Sequence, residues 1–238
     1  MSPLRECILN NNTKIKPIWL MRQAGRYLPE FREIRKLNQD FIKLCLNESL
    51  SSEITLQPLK RFDLDAAIIF SDILMIPLGL GQSVNFKKNF GPELGEMDFE
   101  KLKNITTNEF VEKLSPVYET IKKTASSNLL KQKDLFGFVG APWTLLVYII
   151  NRKSPKNKLV DHFFSDKELL IYILKELVKF TKIHIKKQID SGATIIQIFD
   201  SWAGLLNKND YEEYIYRPTQ ELVKFVKSQN VPVVCFPR

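Results

Sequence analysis

Short apolar runs alternate with longer amphipathic segments along most of this chain. The runs predict five buried strands, at residues 18–21, 66–70, 135–139, 194–199 and 231–236. Between them, apolar residues recur at steps of three and four, which predicts helices at residues 29–44, 51–62, 108–126, 143–151, 165–192 and 209–228. Strands that alternate with helices indicate a parallel sheet, either open and doubly wound or closed as a (β/α)8 barrel.

Local signals refine these boundaries. Pro29 suits the first turn of a helix, and Ser165 with Glu168 has the spacing of a capping box at the start of the longest helix. Pro116 is expected to interrupt its helical segment or to start a new helix. Residues 77–86, which include Gly79 and Gly81, predict a long loop or a hairpin. Their Gly-x-Gly is interpreted as a turn, because it lacks the third glycine and the following helix of a dinucleotide site.

Polar or small residues lie just past four of the five predicted strands. They are Arg22, Asp72, Ala141 and Ser201. The carboxyl ends of parallel strands carry the active sites of barrel enzymes and the ligand sites of open sheets. The pattern therefore predicts a site at this edge of the sheet without choosing between the two folds.

The composition is typical of a globular protein with an affinity for anions. Of the 238 residues, 44% are apolar and 26% are charged, and the formal net charge is +8. The lysines are spread along helical segments rather than clustered with aromatic residues, so no nucleic-acid platform is predicted. The most apolar stretch, residues 66–80, contains Asp72 and Pro77 and is too short to span a membrane.

Cysteines and histidines are few and widely spaced. Cys7, Cys45 and Cys235 predict reduced thiols and a cytoplasmic protein, and no pair has the spacing of a zinc site. Because His162 and His184 are the only histidines, no metal is predicted. The first twelve residues lack the basic-then-apolar order of a signal peptide.

Two arginines four positions apart are the clearest candidate chemistry. The guanidinium groups of Arg22 and Arg26 match carboxylates and phosphates, and the Ala-Gly pair between them lets backbone N–H groups approach the same anion. The alternative is a pair of surface arginines, solvated or bridged to Glu30 and Glu33. Spacing alone leaves both interpretations open.

Three further candidates each have an ordinary structural explanation. Asp72 ends a very apolar strand and is either a buried acid or the cap of the next turn. Tyr148, one helical turn after Thr144, is either a donor in a site or a core tyrosine with its hydroxyl at the surface. Ser201 follows Asp200 and is equally a cap, and no Ser-His-Asp pattern would make it a nucleophile.

Two segments resemble the signatures of a known family. Residues 19–32, Trp-Leu-Met-Arg-Gln-Ala-Gly-Arg-Tyr-Leu-Pro-Glu-Phe-Arg, are similar to the N-terminal signature of the uroporphyrinogen decarboxylases. Residues 137–145, Gly-Phe-Val-Gly-Ala-Pro-Trp-Thr-Leu, resemble the second signature of that family. The resemblance implies a (β/α)8 TIM barrel, a cytoplasmic lyase of haem and porphyrin biosynthesis, a homodimer and a reaction without cofactor or metal.

The implied reaction removes carbon dioxide from the four acetate side chains of uroporphyrinogen III and gives coproporphyrinogen III. Protonation of a ring carbon turns a pyrrole into a cationic electron sink, and a nearby carboxylate stabilises that cation. The resemblance implies this catalytic role for Asp72, together with Arg22, which fits an anionic tetrapyrrole. The implied substrate-binding residues are Arg22, Gln23, Ala24, Gly25, Arg26, Asp72, Tyr148, Phe199 and Ser201.

Chains of this family continue past the position of Arg238, which directly follows a predicted strand. The resemblance therefore implies one barrel domain over residues 1–238 that is C-terminally incomplete, with about five of eight strands. Neither His162 nor His184 matches the histidine that the family contributes from its C-terminal part. Two alternatives stay open: a relative of the corrinoid-dependent methyltransferases, whose His-x-Cys zinc ligands are not visible in the sequence, and a non-catalytic remnant.

Overall fold

Four parallel strands form the main sheet within the described part of the chain. The structure, a computed structural model, describes residues 2–12, 14, 16–24, 27–87, 90–155, 158–160 and 163–238. The strands are β1 (Ala66–Ile68), β2 (Val84–Lys87), β3 (Gly91–Leu94), β4 (Asp134–Gly140), β5 (Ile195–Asp200) and β6 (Val233–Pro237). The main sheet has the order β1-β4-β5-β6, whereas β2 and β3 form a separate antiparallel hairpin.

Four of the predicted strands are confirmed, those at residues 66–70, 135–139, 194–199 and 231–236. Neighbouring strands pair in parallel, with Ile68 beside Phe136, Phe136 beside Ile195 and Ile198 beside Cys235. Because all four strands run in the same direction, their carboxyl ends lie at one edge of the sheet.

The first predicted strand is wrong. The Ile18 carbonyl accepts a hydrogen bond from the Asp65 amide at 2.8 Å, and the Ile18 amide donates to the Asp65 carboxylate at 2.6 Å. The ring of Trp19 stacks on Phe136, with 3.9 Å between ring centroids. Ile18 and Leu20 remain exposed. One backbone pairing does not make a strand ladder, so this apolar segment is held by a tryptophan side chain instead.

Helices connect these strands and cover the sheet. They are α1 (Pro3–Asn10), α2 (Pro29–Leu37), α3 (Phe41–Cys45), α4 (Glu48–Arg61), α5 (Met75–Gly79), α6 (Phe99–Asn104), α7 (Thr107–Ala125), α8 (Pro142–Asn151), α9 (Lys167–Asp190), α10 (Lys208–Tyr211) and α11 (Arg217–Ser228). The predicted helices at residues 51–62, 108–126 and 143–151 are confirmed as α4, α7 and α8.

The helix predicted over residues 29–44 is two helices. Asp40 begins the second one, because its side chain accepts a hydrogen bond from the amide of Lys43 at 3.0 Å. A good N-cap residue in the middle of an apolar pattern thus divides the pattern.

The helix predicted over residues 209–228 contains a π-helical turn, Glu212–Tyr216, between α10 and α11. At its end the amide of Arg217 bonds to the carbonyl of Glu212. Pro218 follows and has no N–H to donate, so the wider turn lies where the regular bonding pattern is already interrupted.

Two local signals act differently from the prediction. Asp166, not Ser165, caps α9, because its carboxylate accepts a hydrogen bond from the Leu169 amide at 2.9 Å. Pro116 lies inside α7 without interrupting it. The carbonyl of Glu112, which a proline at position 116 cannot bond, accepts the hydroxyl of Ser115 at 2.7 Å instead.

Most helices pack on one face of the main sheet. The large core lies between this face and the helix layer, and it contains Trp143, Phe110 and Phe180. The opposite face carries Ile68, Phe136, Phe138, Ile195 and Phe199, and of the described helices only α1 contributes to that cluster. A doubly wound sheet has helices on both faces, whereas a barrel has them outside only. The fold is therefore an incomplete TIM barrel.

Candidate active site

A cavity of about 480 Å³ opens at the carboxyl ends of the strands. Its walls include seven of the nine residues that the sequence predicts for substrate binding: Arg22, Gln23, Ala24, Asp72, Tyr148, Phe199 and Ser201. The other two, Gly25 and Arg26, lie outside the described residues. Segments that are far apart in the chain thus share one concave surface.

Arg22 presents its guanidinium group at this cavity. It lies in a turn before α2 and is exposed. The alternative pairing with Glu30 fails, because the Glu30 carboxylate binds Arg61, with 2.6 Å between Glu30 Oε1 and Arg61 Nε. Within the described ranges Arg22 makes no ion pair, which leaves its donors available to an anionic ligand.

Gln23 holds the turn that carries Arg22. Its side chain is only 2% exposed, and its Oε1 accepts a hydrogen bond from the amide of Leu20 at 3.1 Å. Its Nε2 has no partner among the residues that the structure describes. An unpartnered buried donor costs free energy, so a ligand oxygen that reached Nε2 would satisfy it.

Asp72 follows β1 and is both a cap and a wall of the cavity. Its Oδ1 accepts a hydrogen bond from the amide of Leu74 at 2.8 Å, which accounts for the cap interpretation. Oδ2 accepts none from any described residue. Burial raises the pKa of Asp72 to about 6, against the lowering effect of the Leu74 amide. The carboxyl is therefore mostly ionised at pH 7 and above, and it is protonated in mild acid.

Tyr148 projects from α8 toward the same charges. Its ring packs edge-on against Trp202, with 6.0 Å between ring centroids. Burial is the main factor that raises the pKa of the Tyr148 phenol, and the Trp202 side chain opposes the rise; the Asp72 carboxylate adds to it and the Arg22 guanidinium opposes it less strongly. The phenol thus lies within electrostatic range of both groups and keeps its proton at neutral pH.

Phe199 and Ser201 belong to the end of β5. The ring of Phe199 packs edge-on against Phe138, with centroids 5.5 Å apart, and both rings face the cavity. Ser201 is the first residue beyond the strand and is partly exposed there. The site therefore combines an apolar ring surface with hydroxyl groups at its edge.

The sequence did not predict an aromatic wall on the opposite side of the cavity. Phe41 from α3 packs against Phe70 at 5.7 Å and against Phe86 of the hairpin at 4.6 Å between ring centroids. Phe86 pairs with Pro92 across the hairpin, and both line the cavity. The alternation of apolar and polar residues in this hairpin could have predicted its strands from the sequence. Its position over the cavity depends on tertiary packing.

A larger cavity, of about 1350 Å³, lies between the hairpin and the segment after α8, and it contains none of the predicted residues. Several basic side chains line it, but Lys87 there is already paired with Glu93 at 2.5 Å. Size alone does not identify a site; the predicted residues converge on the smaller cavity, which makes it the candidate active site.

Neither histidine is among the described residues of the cavity. His184 is buried in the helix layer, where its Nδ1 lies 3.0 Å from the hydroxyl of Tyr118, and burial lowers its pKa to about 3. His162 lies outside the described residues.

The described part of the chain contains no cluster of three or more potential metal ligands. A search of the same residues found no helix with the length and apolar character of a membrane span.

Comparison with known proteins identifies the family. The family model for uroporphyrinogen decarboxylase (URO-D) matches residues 2–238. The chain belongs to the uroporphyrinogen decarboxylase family. One relative, the uroporphyrinogen decarboxylase of Orientia tsutsugamushi (strain Ikeda), is 42% identical over 100% of this chain and 70% of its own length. The uroporphyrinogen decarboxylase of Campylobacter jejuni (strain ATCC 700819 / NCTC 11168) is 42% identical over 95% of this chain and 68% of its own length.

A solved structure supports the fold of the family. A methyltransferase from Methanosarcina mazei superposes with a TM-score of 0.73 over 98% of this chain and 68% of the methyltransferase. Its sequence is 16% identical, so the likeness concerns the fold alone. Family membership, by contrast, rests on sequence identity along nearly the whole chain.

Proposed function

We propose that this chain is a uroporphyrinogen decarboxylase, which converts uroporphyrinogen III to coproporphyrinogen III by removing four molecules of carbon dioxide. The observation that carries the proposal is a carboxylate, Asp72, in a largely apolar cavity that also holds Arg22, whose guanidinium has no ion-pair partner among the described residues. Relatives at 42% identity bear the name of this enzyme.

In the proposed reaction Asp72 acts by electrostatic stabilisation. A ring carbon of the pyrrole gains a proton, and the ring becomes a cation. The bond from the acetate methylene to its carboxylate then breaks, carbon dioxide leaves, and the electron pair flows into the ring. The methylene next takes a proton from solvent and becomes a methyl group, and the ring carbon loses the proton that it had gained, which restores the neutral pyrrole. The ionised Asp72 accepts hydrogen bonds from the pyrrole N–H groups and lowers the energy of the cation, since a fixed charge in an apolar site is worth more than one in water.

The proposed substrate contacts divide by chemistry. Arg22, with Arg26, binds substrate carboxylates, and the backbone N–H groups of Gln23, Ala24 and Gly25 add donors to the same ligand. The hydroxyls of Tyr148 and Ser201 donate to further carboxylates, while Phe199 packs on the pyrrole rings. We also propose that residues 1–238 belong to one barrel domain, and that the protein is cytoplasmic and homodimeric, works without cofactor or metal, and has the tetrapyrrole rather than nucleic acid as its partner.

The direct test is an anaerobic assay of coproporphyrinogen formation from uroporphyrinogen, run beside binding of the oxidised porphyrin uroporphyrin. We expect binding and slow turnover in the unchanged chain, and binding without turnover in Asp72→Asn. Binding without turnover in the unchanged chain would favour a non-catalytic remnant, and the absence of both would overturn the proposal.

A further inference from the structure

Two consecutive residues of α8 hold both backbone polar groups of Trp202, the residue after Ser201. The indole Nε1 of Trp143 donates to the Trp202 carbonyl at 2.8 Å. The Trp202 amide donates to the hydroxyl of Thr144 at 3.1 Å. Trp143 and Thr144 are completely buried. The Trp202 carbonyl also accepts a hydrogen bond from the Leu205 amide at 3.1 Å, whereas the acceptor of the Trp202 amide is the Thr144 hydroxyl, and leaving that amide unpaired is costly. We call Trp143, Thr144, Asp200 and Trp202 the α8 clamp.

Asp200 orients the hydroxyl of Thr144 within the clamp. The hydroxyl donates to Asp200 Oδ1 at 2.7 Å, and the carboxylate is 3% exposed. A hydroxyl has one hydrogen to donate and two lone pairs. Donation to Asp200 therefore turns a lone pair toward the Trp202 amide, and the single oxygen of Thr144 links the end of β5 to the loop that follows.

The clamp joins two walls of the cavity. Tyr148 lies four residues after Thr144, on the same face of α8, and its ring packs against the indole of Trp202. Ser201 lies between the two clamp residues Asp200 and Trp202. The separation of the Tyr148 and Ser201 hydroxyls thus depends on bonds made by residues that do not themselves line the cavity.

We propose that Thr144 is a positioning residue, whose buried hydroxyl holds the loop after β5 against α8 so that Tyr148 and Ser201 present their hydroxyls together to the carboxylates of the ligand. This inference rests on the proposed function, because the ligand is the anionic tetrapyrrole named there. It assigns a role to Thr144, Trp143 and Asp200 that contact with the ligand would not reveal.

The first test compares affinities for uroporphyrin by fluorescence anisotropy. Thr144→Val keeps the shape of the side chain and removes both hydrogen bonds, so we expect binding to weaken about five- to tenfold, as for a displaced pair of polar contacts. Thr144→Ser keeps the hydroxyl and should restore most of the affinity. The matched control is Thr181→Val in α9, since the buried Thr181 hydroxyl has no partner in the described part of the chain.

Unchanged affinity in Thr144→Val would overturn the proposal, and so would equal losses in Thr144→Val and Thr181→Val. If Thr144→Val does not fold, Trp143→Phe tests the other bond of the clamp, because it removes the donor to the Trp202 carbonyl and keeps an aromatic ring in the core. Unchanged affinity in that variant would likewise overturn the proposal.

A second measurement separates this proposal from the proposed function. We expect hydrogen exchange of the peptide over residues 201–205 to accelerate at least tenfold in Thr144→Val, and not in Thr144→Ser or Thr181→Val, because the Trp202 amide loses its acceptor. Unchanged exchange would reject the clamp even if uroporphyrin binds. If the unchanged chain does not bind uroporphyrin, the proposed function fails, and exchange alone then decides whether the clamp exists.

Discussion

Two aspartates at opposite ends of the sheet have contrasting surroundings. Asp134 opens β4 at the amino end and is fully buried, with Arg5 Nε and Thr194 Oγ1 each 2.8 Å from its Oδ1 and the Ser2 hydroxyl bonded to its other oxygen. Asp72 lies past β1 at the carboxyl end, and among the described residues its carboxylate accepts a hydrogen bond only from the Leu74 amide. The Asp134 carboxylate is thus occupied by three side chains, whereas the second oxygen of Asp72 has no described partner.

The difference agrees with the proposal that Asp134 serves stability and Asp72 serves function. At the amino end α1 brings Arg5 to Asp134, so the buried charge is neutralised and ties the first helix to the sheet. At the carboxyl end the charge of Asp72 is kept in an apolar cavity at a cost in folding free energy. Barrel enzymes generally place stabilising contacts at the amino end and catalytic groups at the carboxyl end.

The largest expected effect is on stability at the amino end. Asp134→Ala leaves the guanidinium of Arg5 without its buried partner, so we expect a loss of roughly 3–5 kcal/mol in the free energy of unfolding. Urea denaturation monitored by circular dichroism measures it. The double variant Arg5→Met with Asp134→Leu is the control and should recover much of the loss. A loss below about 1 kcal/mol in Asp134→Ala would show that this ion pair does not stabilise the fold.

Next in size is the catalytic effect of Asp72. Asp72→Asn keeps the shape and the cap but removes the negative charge, so turnover should fall by about 10²–10³-fold, as when one preorganised electrostatic contact is lost. Coproporphyrinogen formation relative to the unchanged chain is the measurement. Asp65→Asn serves as the control, because Asp65 lies just before β1 and its carboxylate accepts a solvent-exposed hydrogen bond from the Ile18 amide. Equal turnover in Asp72→Asn and the unchanged chain would remove Asp72 from the mechanism.

The same Asp72→Asn variant should be more stable than the unchanged chain at neutral pH. The pKa of Asp72 is raised in the fold to about 6, so its contribution to stability is full below its unfolded pKa and is lost as the pH rises through 6. A pKa that is higher by about 2 in the folded state corresponds to roughly 3 kcal/mol in the free energy of unfolding. This is an upper value, because solvent screens a partly exposed group. Unfolding measured at pH 4 and pH 8 should show a gain only at pH 8, and an equal gain at both would contradict the shift.

The smallest expected effect concerns Arg22. Because its guanidinium is exposed and unpaired within the described ranges, Arg22→Gln should leave stability within about 0.5 kcal/mol and weaken uroporphyrin binding about tenfold at low salt. Titration at two salt concentrations measures this, since the difference should shrink as ionic strength rises. Arg61→Gln, which removes the partner of Glu30 instead, is the control. Salt-independent loss would indicate a structural role for Arg22.

Local pattern predicted most of the elements and the segments of the site. The apolar runs of β1, β4, β5 and β6 and the periodicity of α4, α7 and α8 were sufficient, because period and turn chemistry are properties of neighbouring residues. The two signature segments likewise pointed to Arg22 and, through the family, to Asp72. Two local predictions were wrong in detail. The cap of α9 is Asp166, one residue after the predicted Ser165, and the helix interruption predicted at Pro116 does not occur.

Only the tertiary structure decided which of these residues act together. In sequence Asp72 and Asp134 each adjoin an apolar strand, yet one binds Arg5 from the first helix and the other faces an open cavity. The apolar run at Trp19 looked like a strand and instead stacks on Phe136. Pairing, desolvation and the pKa of a carboxyl depend on atoms brought from distant parts of the chain, and a local pattern carries no information about those atoms.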